Sequence, residues 1–338
     1  MNIHNDCNEH LEHHSDPLAN VRDGIIGLFV GDAVGVPYEF MSRSEIARQP
    51  ATDMIGYGTH RQPPGTWSDD STMTMCLLYS LHMYPLLNTD DLGRRFIQWY
   101  RQAMWTAHDE LFDIGIATRQ AIERLEQPAT VAEEAGGTDE YSNGNGSLMR
   151  ILPLAYRLVE ADMATRYQWI QRVSSLTHRH PVSILAGVIY IEFAIGLLKY
   201  GRTRTLAQHY TALCETIRQQ YSEHAEMERF QRIWNGSLIT LPQQSIQSSG
   251  YVLHTLEASL WTLLHTNSYR EAVLQAVNLG EDTDTTGAVT GGLAGMYYGY
   301  ETIPQMWRDR LVRREYVEEL CQQFASSCAK VRDGGSRQ

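Results

Sequence analysis

The sequence predicts an all-α fold, a single compact domain of roughly a dozen helices whose connecting turns carry the polar residues. Three observations predict it. Apolar residues recur at helical spacing through most of the 338 residues. No segment alternates as a pair of strands about a hairpin turn. No unit of about 20 to 50 residues repeats, which sets solenoids and propellers aside.

Residues 1 to 20 show no sustained apolar period and carry His4, Cys7, His10, His13 and His14, so they read as a flexible arm, with a metal-binding or partner-binding segment as the alternative. The first periodic segment is Val21 to Val34. It runs into Gly31-Asp32-Ala33-Val34-Gly35-Val36-Pro37-Tyr38-Glu39-Phe40, where Pro37 breaks the helix and leaves Glu39 on a loop, either reaching a cleft or simply solvated. A Gly/Pro-rich connection, Gly56 to Gly65, precedes a helix that starts near Ser68 or Asp69 and puts Ser68, Asp69 and Asp70 in its first turn. Helical periodicity from Leu92 to Leu125 is interrupted at Phe112-Asp113-Ile114-Gly115, where Asp113 suits an N-cap.

Gln127 to Asn145 is a long nonperiodic polar stretch. It ends in Gly144-Asn145-Gly146-Ser147, read as a glycine-rich turn opening a helix; free backbone N–H groups there suit a phosphate, and a plain turn is the competing reading. Helices then follow over Met163 to Leu176, Val182 to Tyr200, Thr203 to Tyr221, Ala225 to Trp234 and from Tyr251 to Leu264. His178 sits just before a proline-started helix and Tyr251 at a helix entrance. Each either faces a ligand or is a satisfied core residue. Pro304 to Leu311 and Glu315 to Cys328 close the fold, and 330 to 338 read as a disordered tail, leaving 21 to 329 as the domain.

The most informative stretch is Asn278 to Ala288, in which Asp282, Asp284 and Thr285 precede a small-residue run suited to close helix packing. Carboxylates and hydroxyls at a helix entrance suit a hard cation such as Mg²⁺, Mn²⁺ or Ca²⁺; Zn²⁺ would recruit His or Cys, and none is nearby. A cap and a dipole-favoured acid explain one such entrance. Two entrances, here and at Ser68 to Asp70, supply more carboxylates than capping needs.

The net charge of −12 argues against nucleic acid as a partner. No apolar run reaches the length expected of a bilayer span and no apolar leader opens the chain, so no membrane association and a cytoplasmic location are expected. Five scattered cysteines form no C-x-x-C pair.

Five motifs in this order, Gly-Asp-Ala-x-Gly-x-Pro-x-Glu-Phe, Ser-Asp-Asp-Ser-x-Met, Gly-Asn-Gly-Ser-x-Met-Arg, Thr-His and Gly-x-Asp-Thr-Asp-Thr, resemble the ADP-ribosylglycohydrolase family from about Val21 to Tyr300. The resemblance implies an all-α fold with a binuclear Mg²⁺ or Mn²⁺ centre in a cleft and the removal of ADP-ribose from modified protein side chains. It implies Ser68, Asp69, Asp70, Asp282, Asp284 and Thr285 as metal ligands, and Glu39 and Asp113 as catalytic carboxylates. For ADP-ribose it implies Gly115, the Gly144, Asn145, Gly146 and Ser147 loop, His178, and Tyr251 stacked on adenine. Two departures stand out: Ser68 where threonine is usual, and Glu281 where glycine is usual, adding a carboxylate near the metals.

Physical logic agrees with this resemblance. An acidic protein cannot hold a diphosphate by its general field, so dications and local donors must. Water attack at the anomeric carbon, assisted by Glu39 or Asp113, and a ring-opening route are both open. The resemblance of Asp113-Ile114-Gly115 to the family's Asp-x-Gly segment in arginine-type members implies the arginine linkage over serine or a small ADP-ribosyl compound. The alternative is an immunity protein whose arm, residues 2 to 19, plugs a cognate ADP-ribosyltransferase toxin.

Overall fold

The computed structural model describes residues 17–335, with side chains over 21–329. Among these there are fifteen α-helices and no strand, only isolated bridges. The helices are α1 (Pro17–Gly35), α2 (Arg43–Ile46), α3 (Asp69–Met83), α4 (Thr89–Gln102), α5 (Ile116–Leu125), α6 (Pro153–Leu158), α7 (Met163–Ser175) and α8 (Pro181–Tyr200). After them come α9 (Leu206–Tyr221), α10 (Gln231–Trp234), α11 (Val252–Leu264), α12 (Tyr269–Val277), α13 (Thr283–Tyr298), α14 (Gln305–Arg310) and α15 (Arg314–Gly335).

α13 is the axis of the fold. It is apolar or small on every side, so it has no solvent face, and it packs on α1, α11 and α12. Glycines bring α1 and α13 together at backbone distance: a Cβ on Gly31 would sit 2.1 Å from the Gly287 carbonyl oxygen, and one on Gly291 2.4 Å from that of Gly27. This contact sets the separation of the first Asp of α1's C-terminal half from the acids at the start of α13.

α8 is also apolar throughout, contrary to the expectation that no apolar run is long enough to cross a bilayer. Residues 181–203 meet the length and composition of a span, yet most of that stretch is buried inside the fold, and its Glu192 pairs with Arg166 at 2.8 Å. It is a core helix.

Other expectations need adjustment. α12 was not anticipated, because its short amphipathic pattern merges with the polar turn before Asp282. The segment Ala225 to Trp234 holds only a 3₁₀ turn, Met227–Phe230, and the single-turn α10. The toxin-blocking arm lies outside the described residues as far as Asp16, and α1 already begins at Pro17. At the other end α15 continues to Gly335, into the stretch read as tail.

Candidate active site

α3 and α13 each begin with acids, and the two beginnings meet. Ser68 caps α3, its hydroxyl accepting from Asp70 N and donating to Asp70 Oδ2 at 3.0 Å. Thr285 Oγ1 reaches that same oxygen at 3.4 Å. At α13 the cap position is Asp282, but its side chain makes no capping bond. It turns instead to Asn145, whose Nδ2 donates to Asp282 Oδ2 at 2.8 Å. Capping therefore does not account for Asp282.

Two groups of three carboxylates result, Asp32 with Asp70 and Asp284, and Glu39 with Asp282 and Asp284, each with its ligand oxygens within 4.8 Å of one another. Asp284 belongs to both. Asp70 Oδ1, Asp282 Oδ1 and Asp284 Oδ2 are buried without a hydrogen-bond partner. Buried carboxylate oxygens left unpaired are costly unless a cation meets them. An all-oxygen donor set with orphaned anionic oxygens fits a hard divalent ion.

Without a cation, burial dominates the electrostatics. It pushes Asp32 and Glu39 each up to about 7, and it raises Asp69, Asp70, Asp282 and Asp284, with neighbouring carboxylates adding to the rise. Like charges this close cannot all ionise.

Asp32 was not singled out in the sequence. It accepts from Ser68 N at 3.0 Å, Ser71 N at 3.1 Å and Ser71 Oγ at 2.6 Å, so an acid of α1 caps α3 across the fold. The available signal was an aspartate inside the otherwise apolar run of α1. His60 was also missed. Its Nε2 hydrogen-bonds Glu39 Oε2, and its ring lies 5.2 Å from that of Phe112. The Glu39 bond raises His60, while burial outweighs that bond at Glu39.

Asp69 belongs to neither trio. It lines a narrow cavity with Asp113, Phe112 and Trp67, and Asp113 is the foremost of the charges that raise it. Asp113 is no N-cap, because α5 starts from Gly115. Glu281, expected beside the metals, is exposed, and its charge acts on Arg43 and His254.

Gly144 to Ser147 do not open an α-helix. Asn145–Ser147 is one 3₁₀ turn, and Asn145 N is engaged by the Gly250 carbonyl at 3.0 Å. The loop is pinned between α11 and α5. Gly144 bridges to Tyr251, and a Cβ on Gly146 would lie 2.9 Å from Thr118 Oγ1 and 2.8 Å from the His178 ring. His178 is buried under the loop, and half-buried Tyr251 sets its ring 5.0 Å from His254, edge to face. The loop, His178 and Tyr251 thus lie together, and Asn145 joins them to Asp282, while among the described residues a Cβ on Gly115 would meet only Thr118 of its own helix.

A family model described as ADP-ribosylglycohydrolase matches residues 13–334. An "ADP-ribosylarginine hydrolase Tri1" of Serratia proteamaculans (strain 568) is 31% identical over 310 residues, 92% of this chain and 80% of that one. An "ADP-ribosyl-[dinitrogen reductase] glycohydrolase" of Rhodospirillum rubrum is 30% identical over 300 residues, 87% of this chain and 92% of the relative. A solved "ADP-ribosylglycohydrolase-related protein complex" superposes with a TM-score of 0.76 at 30% identity, covering 93% of this chain and 99% of its own.

Proposed function

Because this chain belongs to the ADP-ribosylglycohydrolase family, we propose that it is a metal-dependent hydrolase that removes ADP-ribose from modified arginine side chains of proteins. The observation that carries the reading is the pair of buried carboxylate trios sharing Asp284, with three carboxylate oxygens left unpaired. The relatives named as ADP-ribosylarginine hydrolases support the arginine linkage. Buried free thiols at Cys76, Cys214 and Cys321 agree with a reducing, cytoplasmic setting.

Asp32, Asp70 and Asp284 would hold one divalent cation and Glu39, Asp282 and Asp284 a second, with the Ser68 and Thr285 hydroxyls beside them. Two Mg²⁺ or Mn²⁺ ions would supply Lewis-acid charge opposite the reacting sugar. Asn145 keeps Asp282 turned inward. Glu39 has one oxygen bonded to His60, which leaves the other for the cation, and a proton it passes would move through the His60 bond. As the glycosidic C–N bond breaks, positive charge builds at the anomeric carbon, and the cavity carboxylates Asp69 and Asp113 oppose it. The Gly144–Ser147 loop and His178 would receive the diphosphate, and Tyr251 the adenine ring.

The test is release of ADP-ribose from an arginine-modified and a serine-modified protein, each with Mg²⁺ and with EDTA, for wild type and Asp282→Ala. Release from arginine alone, abolished by EDTA and by the substitution, is expected. Undiminished release by Asp282→Ala would remove the metal role, and release from serine alone would reassign the linkage.

A further inference from the structure

Arg150 is wholly buried, and among the described residues no carboxylate pairs with it. Its guanidinium lies over the Phe96 ring, 4.9 Å from the centroid. Nη1 donates to the Gly146 carbonyl, and Nη2 donates to Thr177 Oγ1 at 2.7 Å and to the Val173 carbonyl at 3.3 Å. Thr177 Oγ1 is in turn 2.8 Å from Nδ1 of His178.

These contacts fix the direction of each proton. Arginine only donates, so Thr177 Oγ1 accepts from Nη2. Thr177 is fully buried, and among the described residues His178 Nδ1 is the acceptor its hydroxyl proton reaches. Were Nδ1 protonated instead, that hydroxyl would be stranded in the interior without an acceptor, which is strongly disfavoured. Thr177 therefore donates to Nδ1, and the ring proton of His178 sits on Nε2.

Nε2 has no acceptor among the described residues. It lies under Gly144, where an added Cβ would come within 3.3 Å of it. Burial, with the charge of Arg150 in support, keeps the ring neutral. We infer that Arg150 and Thr177 are positioning residues: they set His178 as the Nε2–H tautomer and so aim one neutral donor through the glycine loop at an anionic oxygen of ADP-ribose. The ligand half of this inference rests on the hydrolase reading; the tautomer half stands without it. Arg150 also acts on the loop itself through Gly146, so a single buried cation organises the donor and the turn it points through.

Long-range ¹H–¹⁵N NMR of the full chain reads the tautomer directly, with the His178 signals assigned by their loss in His178→Gln. Wild type, Thr177→Ser and Thr177→Val are compared, and ADP-ribose affinity is measured on the same samples. Wild type and Thr177→Ser are expected to show a bare Nδ1 and a protonated Nε2 at neutral pH. Thr177→Val should lose that preference and bind ADP-ribose roughly tenfold more weakly. A protonated Nδ1 in the wild type overturns the inference, as does a Thr177→Val protein whose His178 keeps the Nε2–H form. The wild-type spectrum is decisive even if Thr177→Val fails to fold. The expected tautomers with no ADP-ribose bound by any form would leave the relay standing and overturn both its ligand and the hydrolase reading.

Discussion

Asp284 concentrates the conflict between stability and function in one side chain. It belongs to both carboxylate trios, and burial together with Glu39, Asp70 and Asp282 raises it well above the ordinary carboxylate range. Asp284→Asn keeps an oxygen for its 2.9 Å bond from Thr285 N and removes one charge. Activity should fall by more than the ~10–100-fold typical of losing an outer partner of a ligand. In EDTA near neutral pH, however, the variant should melt above wild type, because the fold no longer has to take up at this site a proton that the unfolded chain has released. A lower melting temperature in EDTA would make Asp284 a structural anchor instead. Glu281 carries a different cost. Its φ is 64°, the left-handed region that favours glycine, and reciprocal bonds of 2.7 Å (Phe40 N to Glu281 O, Glu281 N to Met41 O) hold it there. Left-handed strain of about 1–2 kcal/mol exceeds the roughly 0.4–1 kcal/mol of added unfolded-chain entropy. Glu281→Gly should therefore stabilise the protein by about 0.5–1 kcal/mol, read as a higher urea midpoint at unchanged slope; a lower midpoint would refute the strain argument.

At the scale of helices, metal-site geometry is set by how closely α1 and α13 approach. Asp32 and Gly31 are neighbours on α1, and Gly287 follows Asp284 by one turn on α13, so the glycine contact and the carboxylate contact belong to one interface. A side chain at Gly31 meets backbone at 2.1 Å, which cannot move aside without displacing a whole helix. Gly31→Ala should lower stability by several kcal/mol and weaken Mn²⁺ binding in the folded fraction. Gly93→Ala in α4 is the contrast. Its nearest neighbour, a Leu125 methyl, would be at 3.5 Å, so the better helix propensity of alanine should add about 0.5–1 kcal/mol. Calorimetry and Mn²⁺ titration of both variants test this; equal effects would deny the helix contact any special role. The small-residue run of α13 was legible as a packing surface. Its partner on α1 was not, because glycine spacing alone does not say which helix will lie opposite.

Across the whole molecule, the acids at the two helix entrances were readable because each exceeds what capping requires. Asp32 and His60 were not, since their roles depend on contacts across 36 and 21 residues of chain. The same long-range crowding gives the free protein a pH dependence of definite sign. Asp32 and Glu39 rise from 3.8 and 4.5 to about 7, and Asp69, Asp70 and Asp284 are raised in the same direction, well above the ordinary carboxylate range. Near neutrality the folded, metal-free chain therefore holds protons that the unfolded chain has already released. Stability must fall as pH rises through that interval. His178 works the other way, its folded value held at about 3, but its contribution changes mainly below the ordinary 6.5. In the window from about pH 6.5 to 8 the carboxylates therefore set the sign, and His60, raised by its Glu39 bond, acts in the same direction. In EDTA, the melting temperature should drop across that window. Mn²⁺ displaces the bound protons, so its stabilisation should grow with pH over the same range. Thermal melts at both ends of the window, with and without Mn²⁺, provide the measurement. A metal-free protein that becomes more stable toward pH 8 would mean the trios are already ionised and compensated within the fold, leaving no electrostatic demand for a cation.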